Sequence, residues 1–246
     1  MNQKALLCNK YEFKINVPLK DESNKKRNDQ SYLHFITSRQ DLVSAKCIAT
    51  EWLLEDVNIN KEYSIREYFA GVGIQATLLQ NMLNVKKHKV SDIDLECFNQ
   101  LKEDNRWKSF KEDGHKAILD NEYFDIKMLD FPHSSIIHLK RGKWSNFLAS
   151  FISKPEIVCW TDTSMTYSIK IHGSNYAKEL NVSSLNSYSD YFKAMSDWLY
   201  SQVGYSIVKV AYRAKNAAYI KAIKGKHNLI EKSFPLDKSN SGFKIL

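Results

Sequence analysis

Two kinds of apolar spacing alternate along this 246-residue chain. Short apolar and aromatic runs predict buried strands, at residues 63–69, 88–94, 123–130, 155–161 and 205–212. Apolar side chains that recur every three or four residues predict helices, over residues 39–53, 74–83, 95 onward, 144–152 and 188–203. Strands that alternate with helices pair in parallel through right-handed crossovers. The pattern therefore predicts an α/β fold with a mostly parallel central sheet and helices on both faces.

The first 38 residues follow a different pattern, and residues 1–38 are expected to form a partly irregular extension. Within it, residues 11–17 alternate apolar and polar positions, which is typical of an edge strand. Ser38 is a candidate helix N-cap, so residues 39–246 are predicted to form one α/β domain of ordinary length. Residues 242–246 are a candidate for its last edge strand.

A turn that contains glycine, Phe69-Ala70-Gly71-Val72-Gly73, joins the first predicted strand of the domain to the next helix. A strand, a glycine turn and a helix start leave backbone N–H groups unpaired where a ligand can approach. Glycine is needed because a side chain would occupy the space of the ligand and resist positive φ. Asp92 lies at the tip of the next predicted strand, about 20 residues further on, where an acidic residue binds the hydroxyl pair of a ribose. For the turn alone, a tight connection without a ligand is the alternative.

Four segments, in this order, resemble the motifs of class I S-adenosylmethionine-dependent methyltransferases. They are residues 67–73, 91–96, 110–115 and 123–133. The resemblance implies a Rossmann-like fold, an enzyme, and S-adenosyl-L-methionine as the cofactor. It also implies which residues would hold the cofactor, and these are Glu67, Phe69, Ala70, Gly71, Gly73, Asp92, Ile93 and Asp113.

The last of these segments resembles the Asp-Pro-Pro-Tyr-type motif of amino-methyltransferases, with the DNA adenine-N6 enzymes favoured. An exocyclic amine is a poor nucleophile because its lone pair is delocalised into the ring of the base. A carboxylate or carboxamide at the strand tip, together with a neighbouring backbone carbonyl, can accept the amine hydrogens and localise that pair. The resemblance assigns this role to Asp130. Pro132 would rigidify the turn, and Phe131 or His133 would stack on an extruded base.

Other features of the same segments leave the substrate open. Residues 130–134 and 160–164, the latter with a Thr-Asp-Thr sequence, resemble tRNA guanine-N2 methyltransferases, which would add Asp162 to the pocket. A methyltransferase of a small molecule or a protein is a further alternative. The amino-methyltransferase motif usually has proline where this chain has Phe131, and an aromatic where it has His133. A catalytically inactive binding protein of the same fold therefore also stays open.

The chain carries a formal net charge of +8, which suggests a polyanionic partner. One basic cluster with an aromatic residue follows the expected catalytic strand, and we expect it to contact nucleic acid. It comprises Lys140, Arg141, Lys143 and Trp144. Charge and motifs together favour nucleic acid as the partner, with DNA ahead of RNA. A lysine- and asparagine-rich composition also arises in AT-rich genomes, which would suit a virus or a phage.

The four cysteines are scattered and include no Cys-x-x-Cys pair; they are Cys8, Cys47, Cys97 and Cys159. This spacing suits a reducing compartment and predicts neither a disulfide scaffold nor a metal site. No apolar run approaches the length of a membrane span, and the first residues lack the pattern of a signal peptide. We therefore expect a cytoplasmic protein, in the host cytoplasm if it is viral, with no membrane partner.

Overall fold

The structure is a computed structural model of the chain, and it describes residues 2–8, 11–17, 40–131, 144–163, 165–213 and 217–234. The helices are α1 (Gln40–Leu54), α2 (Ile74–Met82), α3 (Leu95–Lys102), α4 (Gly114–Ala117), α5 (Trp144–Ile152), α6 (Met165–Glu179) and α7 (Tyr188–Val203). The strands are β1 (Asn2–Cys8), β2 (Tyr11–Val17), β3 (Glu62–Tyr68), β4 (Asn84–Asp92), β5 (Lys108–Lys111), β6 (Ile126–Leu129), β7 (Ile157–Thr163), β8 (Tyr205–Arg213), β9 (Ala217–Lys224) and β10 (Ile230–Phe234). No helix within these ranges is both long enough and apolar enough to cross a lipid bilayer.

Eight strands form the central sheet, in the order β10-β8-β9-β7-β6-β3-β4-β5. Neighbouring strands are parallel except at β7–β9 and β8–β9, because β9 runs against the others. The prediction of a mostly parallel sheet is confirmed. The strand order reverses at β3, which has β4 on one side and β6 on the other. Ligands of open α/β sheets bind beside the carboxyl ends of the strands at such a point.

Helices cover both faces of the sheet, because successive residues of a strand point to opposite sides. Val158 and Trp160 of β7 belong to an apolar cluster that includes side chains of α5, α6 and α7. Ile157 and Cys159 of the same strand belong to a second cluster, with side chains of α1 and α2. Burial of each large apolar side chain contributes about 1.5–3 kcal/mol, so both layers stabilise the sheet.

The predicted bounds of α7 are confirmed, and the sequence supplies the signals at both of its ends. Ser187 precedes the helix, and its Oγ accepts a hydrogen bond from Asp190 N at 3.1 Å. Gly204 follows the helix with φ of 76°, a left-handed conformation that glycine adopts without steric cost. These end signals and the apolar spacing all lie within one stretch of chain, which is why the helix could be located correctly from the sequence.

Some elements differ from the sequence-based expectation. Residues 2–8 lie in the stretch expected to be irregular, but they form β1 and pair antiparallel with residues 11–17. Residues 217–224 form β9, whose first six residues are buried, although the apolar spacing predicted no strand there. α6, β5 and β10 are further elements that the apolar spacing did not reveal. The edge strand predicted at 242–246 lies outside the described residues.

Two buried lysines fix the end of α1 against the sheet. Lys221 of β9 is 3% exposed, and its Nζ donates to Asp56 Oδ1 at 2.6 Å. Lys209 of β8 donates from Nζ to the Trp52 carbonyl at 3.0 Å and to Glu55 Oε1 at 3.1 Å. Cations are favoured near the carboxyl end of a helix because its last carbonyls lack partners within the helix. The position of α1 therefore depends on charges supplied by two distant strands.

A third buried lysine, Lys127 of β6, has a different environment. Lys127 is 0% exposed and lies between Arg66 of β3 and Val158 of β7 in the strand register. Its Nζ has no hydrogen-bond partner in the described part of the chain. Burial lowers the pKa of this ammonium from the usual 10.5 to about 8, because the charged form loses its hydration. Such a shift corresponds to roughly 3 kcal/mol of unfavourable free energy for the charged form.

We predict that Lys127 makes the protein more stable as the pH rises from about 8 to about 10.5. In this window the unfolded chain binds a proton at this residue that the folded chain has lost, so the free energy of unfolding increases with pH. Urea denaturation at several pH values across this window measures the free energy of unfolding. The variant Lys127→Met should be more stable at neutral pH and should lack this part of the increase. Parallel stability curves for the two proteins would contradict the prediction.

Candidate functional site

The carboxyl ends of β3, β4 and β6 meet at one edge of the sheet, where backbone hydrogen bonds extend the strand pairing. Ala70 N donates to the Ser91 carbonyl at 2.9 Å, which joins the tips of β3 and β4. Asp130 N donates to the Tyr68 carbonyl at 3.1 Å, which joins the tips of β3 and β6. The turn after β3 therefore lies between the two other tips, where the strand order reverses.

The turn between β3 and α2 has three residues with positive φ. Gly71 and Gly73 have φ of 58° and 81°, which glycine adopts readily because it has no Cβ. Phe69 has φ of 60°, which is rare for a bulky side chain and costs conformational energy. Gly73 begins α2 without a side-chain cap. The first N–H groups of this helix are therefore directed at the space beside the turn, where they can bind a ligand.

Asp92, the last residue of β4, holds this turn in place. Its Oδ2 accepts a hydrogen bond from Gly71 N at 2.8 Å, and its Oδ1 accepts one from Asp94 N at 2.9 Å. Burial raises the pKa of the Asp92 carboxyl, although these two N–H donors oppose the effect. An ionised carboxylate has about four acceptor positions, so the two bonds leave others open to a hydroxyl donor. Asp92 thus supports the turn and keeps acceptor positions for further donors.

Two more of the predicted cofactor residues lie along the same edge. Ile93 directly follows Asp92 and is 62% exposed, which is unusual for an isoleucine. Asp113 follows β5, and its Oδ1 accepts a hydrogen bond from His115 N at 2.9 Å. Glu112 N donates to the Asp92 carbonyl at 3.2 Å, so the tips of β4 and β5 are joined as well. The edge therefore presents an apolar side chain between two acids.

Two aromatic rings pack against the Phe69 ring beside the turn. The centroid of the Phe69 ring lies 4.9 Å from that of His115 and 5.4 Å from that of Phe131. A Cβ built on Gly114 would lie 2.6 Å from two carbons of the Phe69 ring. Gly114 therefore lets the ring pack directly against the backbone at the start of α4, which offsets part of the cost of the positive φ at Phe69.

Asp130, at the tip of β6, forms an ion pair with Lys46 of α1. Both side chains are 13% exposed, so the pair is only partly accessible to solvent. The next residue, Phe131, is 2% exposed and belongs to the apolar core, and its carbonyl accepts a hydrogen bond from Thr161 Oγ1 at 3.0 Å. This bond fixes the backbone at the tip of β6. Stacking of Phe131 on a base stays a prediction, and it would require the ring to become uncovered.

Glu67, in β3, is a buried carboxylate close to the same place. It is 0% exposed, and neither side-chain oxygen has a hydrogen-bond partner in the described part of the chain. His88 Nε2 lies 3.7 Å from Glu67 Oε2, too far for a hydrogen bond. Burial raises the pKa of the Glu67 carboxyl; His88 and Lys46 oppose this effect, and Asp130 adds to it. A buried carboxylate without a hydrogen bond is costly, and the His88 ring beside it offsets only part of that cost.

The structure brings Glu67, Gly71, Asp92 and Asp130 to one edge of the sheet, where the motif spacing places them, and their roles stay predictions. Of the remaining site predictions, several lie outside the described residues, namely Pro132, His133, Lys140, Arg141 and Lys143. Trp144 is the first residue of α5.

Lys46 is a further residue of this site, and the sequence alone did not indicate it. It is one of several polar residues on a predicted helix, and no spacing signal relates it to Asp130, 84 positions away.

We predict that Gly114→Ala destabilises the protein by about 1–3 kcal/mol, because the new methyl group displaces the Phe69 ring. Gly173→Ala is the matched control. Gly173 lies in α6, and a Cβ there would have its nearest contact at 3.7 Å. Alanine in that helix should be neutral or stabilising by up to about 1 kcal/mol. Chemical denaturation of both variants measures the difference, and equal stabilities would contradict the packing described for Phe69.

Solved structures of methyltransferases share this architecture. Trm1 from Pyrococcus horikoshii in complex with S-adenosyl-L-methionine has a TM-score of 0.52 and 13% sequence identity, and the match covers 86% of this chain and 60% of that one. Magnesium protoporphyrin IX methyltransferase (ChlM) from Synechocystis PCC 6803 has a TM-score of 0.48 and 13% identity, covering 78% and 82% of the two chains. No protein-family model and no curated protein matches this sequence. The likeness to Trm1, together with the strand order of the central sheet, shows that the chain has the Rossmann-like fold of class I S-adenosylmethionine-dependent methyltransferases, as predicted.

Proposed function

We propose that this protein is an S-adenosylmethionine-dependent methyltransferase that methylates an exocyclic amine of a nucleic-acid base, with the N6 of adenine in DNA as the first candidate. One observation carries the proposal. On a methyltransferase fold, Asp92 and the glycine turn lie on one side of the β3 tip, and Asp130 lies on the other. A nucleoside bound to the first group would thus be adjacent to a carboxylate able to accept hydrogens from an amine.

The residues present fit this cofactor. Glu67 is a buried carboxylate that lacks donors, and the ammonium group at the methionine end of the cofactor carries them. Asp92 retains acceptor positions for the ribose hydroxyls, beside the N–H groups of the turn. Ile93 supplies exposed apolar surface for the adenine ring, and Asp113 supplies an acceptor for its amino group. When bound, the cofactor supplies a methyl group on a positively charged sulfur.

For the transfer, the protein chiefly has to position the amine and exclude water. Asp130 is held by its backbone bond to Tyr68, and the next carbonyl is held by Thr161. An oxygen of Asp130 that accepts an amine hydrogen would draw the lone pair of the nitrogen out of the ring and towards the methyl group.

The net charge of +8 supports a nucleic-acid substrate, and Lys140, Arg141, Lys143 and Trp144 are proposed as its contacts. A guanine-N2 methyltransferase of RNA is the second candidate, supported by the tip of β7. Asp162 is 0% exposed there, and the Thr161 hydrogen bond joins this tip to that of β6. In that case Asp162 would belong to the substrate pocket.

The decisive experiment is incubation of the protein with methyl-labelled cofactor and separate pools of DNA, RNA and protein. Label in the adenine of DNA supports the first candidate, and label in the guanine of RNA supports the second. Label confined to protein would contradict both. Binding to the labelled pool should weaken steeply with salt, because phosphate contacts release counterions, and binding that is indifferent to salt would count against nucleic acid.

We predict that Asp130→Asn lowers the rate of methyl transfer by about 10²–10⁴-fold, the usual contribution of a positioned acid or base. The neutral amide accepts hydrogens less strongly, whereas the turn and Asp92 stay intact. Single-turnover assays measure the rate, and calorimetric titration with S-adenosylhomocysteine should show no loss of affinity. Asp197→Asn, at an exposed position of α7, is the control. Full activity of Asp130→Asn would remove the proposed role of this residue.

A further inference from the structure

Lys46 is the one lysine of the described residues that reaches the carboxylates at the tips of β3 and β6. It lies within α1, and its Nζ forms the ion pair with Asp130. α1 cannot shift freely, because Lys209 and Lys221 hold its carboxyl end through Asp56, at 3.3 Å and 2.6 Å. The position of Lys46 over the site is therefore set by the packing of the domain.

Two carboxylates, Glu67 and Asp130, lie at this end of β3 and β6, and they are paired unequally. The Lys46 ammonium pairs with Asp130, whereas Glu67 has the His88 ring 3.7 Å from its Oε2. Glu67 is fully buried without a hydrogen bond in the described part of the chain. Burying a carboxylate in this way is unfavourable unless a cation or hydrogen-bond donors reach it. The Glu67 oxygens therefore keep acceptor positions for the donors of a ligand.

The methionine end of S-adenosylmethionine carries one ammonium and one carboxylate on the same carbon. The ammonium matches Glu67, and the carboxylate then needs a cation close by. Lys46 reaches Asp130, whose N–H bonds to the carbonyl of Tyr68, the residue after Glu67, and it is therefore near enough to serve. A lysine ammonium has three N–H donors. A small change of rotamer can move it from one carboxylate to another, so that its hydrogen bonds are formed with the second.

We propose, on the basis of the function proposed above, that Lys46 binds the carboxylate of the cofactor and releases Asp130 as it does so. Before the cofactor binds, Lys46 occupies Asp130 and weakens it as an acceptor. Once Lys46 has exchanged one carboxylate for the other, Asp130 is free to accept hydrogens from the substrate amine. Binding of the cofactor thereby prepares the acceptor, and an amine that arrives first meets a carboxylate that is still paired.

The test compares two ligands by calorimetric titration. S-adenosylhomocysteine carries the amino and carboxylate groups, whereas 5′-methylthioadenosine has the same nucleoside without them. Lys46→Met should weaken S-adenosylhomocysteine binding by about 10–100-fold, as expected when a charge-assisted hydrogen bond is lost. Binding of methylthioadenosine should stay unchanged, which also shows that the variant is folded. Lys46→Arg should restore most of the difference.

Lys61→Met is the matched control for charge. Lys61 forms an exposed ion pair with Glu156 and precedes β3, at the opposite edge of the sheet. It should leave the affinities for both ligands unchanged. An equal loss of both ligands in Lys46→Met, or no loss of either, would overturn the proposed role of Lys46. If the unsubstituted protein binds neither ligand, the proposed methyltransferase function fails, and this outcome is distinct from failure of the Lys46 proposal.

A second variant tests the exchange itself. In Asp130→Asn, Lys46 no longer has to leave a competing carboxylate, so S-adenosylhomocysteine should bind several-fold more tightly relative to methylthioadenosine. In the double variant Lys46→Met with Asp130→Asn this gain should disappear. A ratio of affinities that is unchanged or lower in Asp130→Asn would show that Lys46 does not exchange between the two carboxylates.

Discussion

Backbone hydrogen bonds between the tips of neighbouring parallel strands are the constraint on which the site depends. Ala70 bonds to Ser91, and Asp130 bonds to Tyr68, so three strand ends are held together at the edge where the order reverses. Because β3, β4 and β6 run in the same direction, the residues that follow these strands lie at the same edge of the sheet. The glycine turn can then occupy a fixed place, with the Asp92 carboxylate bonded to its N–H group.

Buried charge is the second organising feature, and it connects the site to the far side of the sheet. Lys209 and Lys221 would be costly in a sheet covered by helices, and Asp56 together with the end of α1 supplies their acceptors. The same helix carries Lys46 to Asp130. Two strands without a role in the proposed reaction therefore contact the helix that carries Lys46.

Much of the fold could be predicted because its signals are local. The bounds of α7 follow from apolar spacing, Ser187 before it and Gly204 after it, all within one stretch of chain. β9 could not be recognised in this way. Lys221 interrupts its alanine- and isoleucine-rich run, and the group that makes this lysine acceptable in the core, Asp56, lies 165 positions earlier. No window of neighbouring residues contains that information.

The candidate site likewise combines residues that local sequence signals indicate with contacts that only the folded chain forms. By itself the sequence determined most of the strands and helices from β3 to β8, and it determined which acids follow which strands, because periodicity and turn residues act over a few positions. It therefore indicated the glycine turn and Asp92, and the resemblance to methyltransferase motifs added Glu67 and Asp130. Only the tertiary structure decided that Glu67 is buried without donors and that Lys46 faces Asp130. Those facts depend on how α1 packs against the sheet, and this packing is set by contacts between residues far apart in the chain.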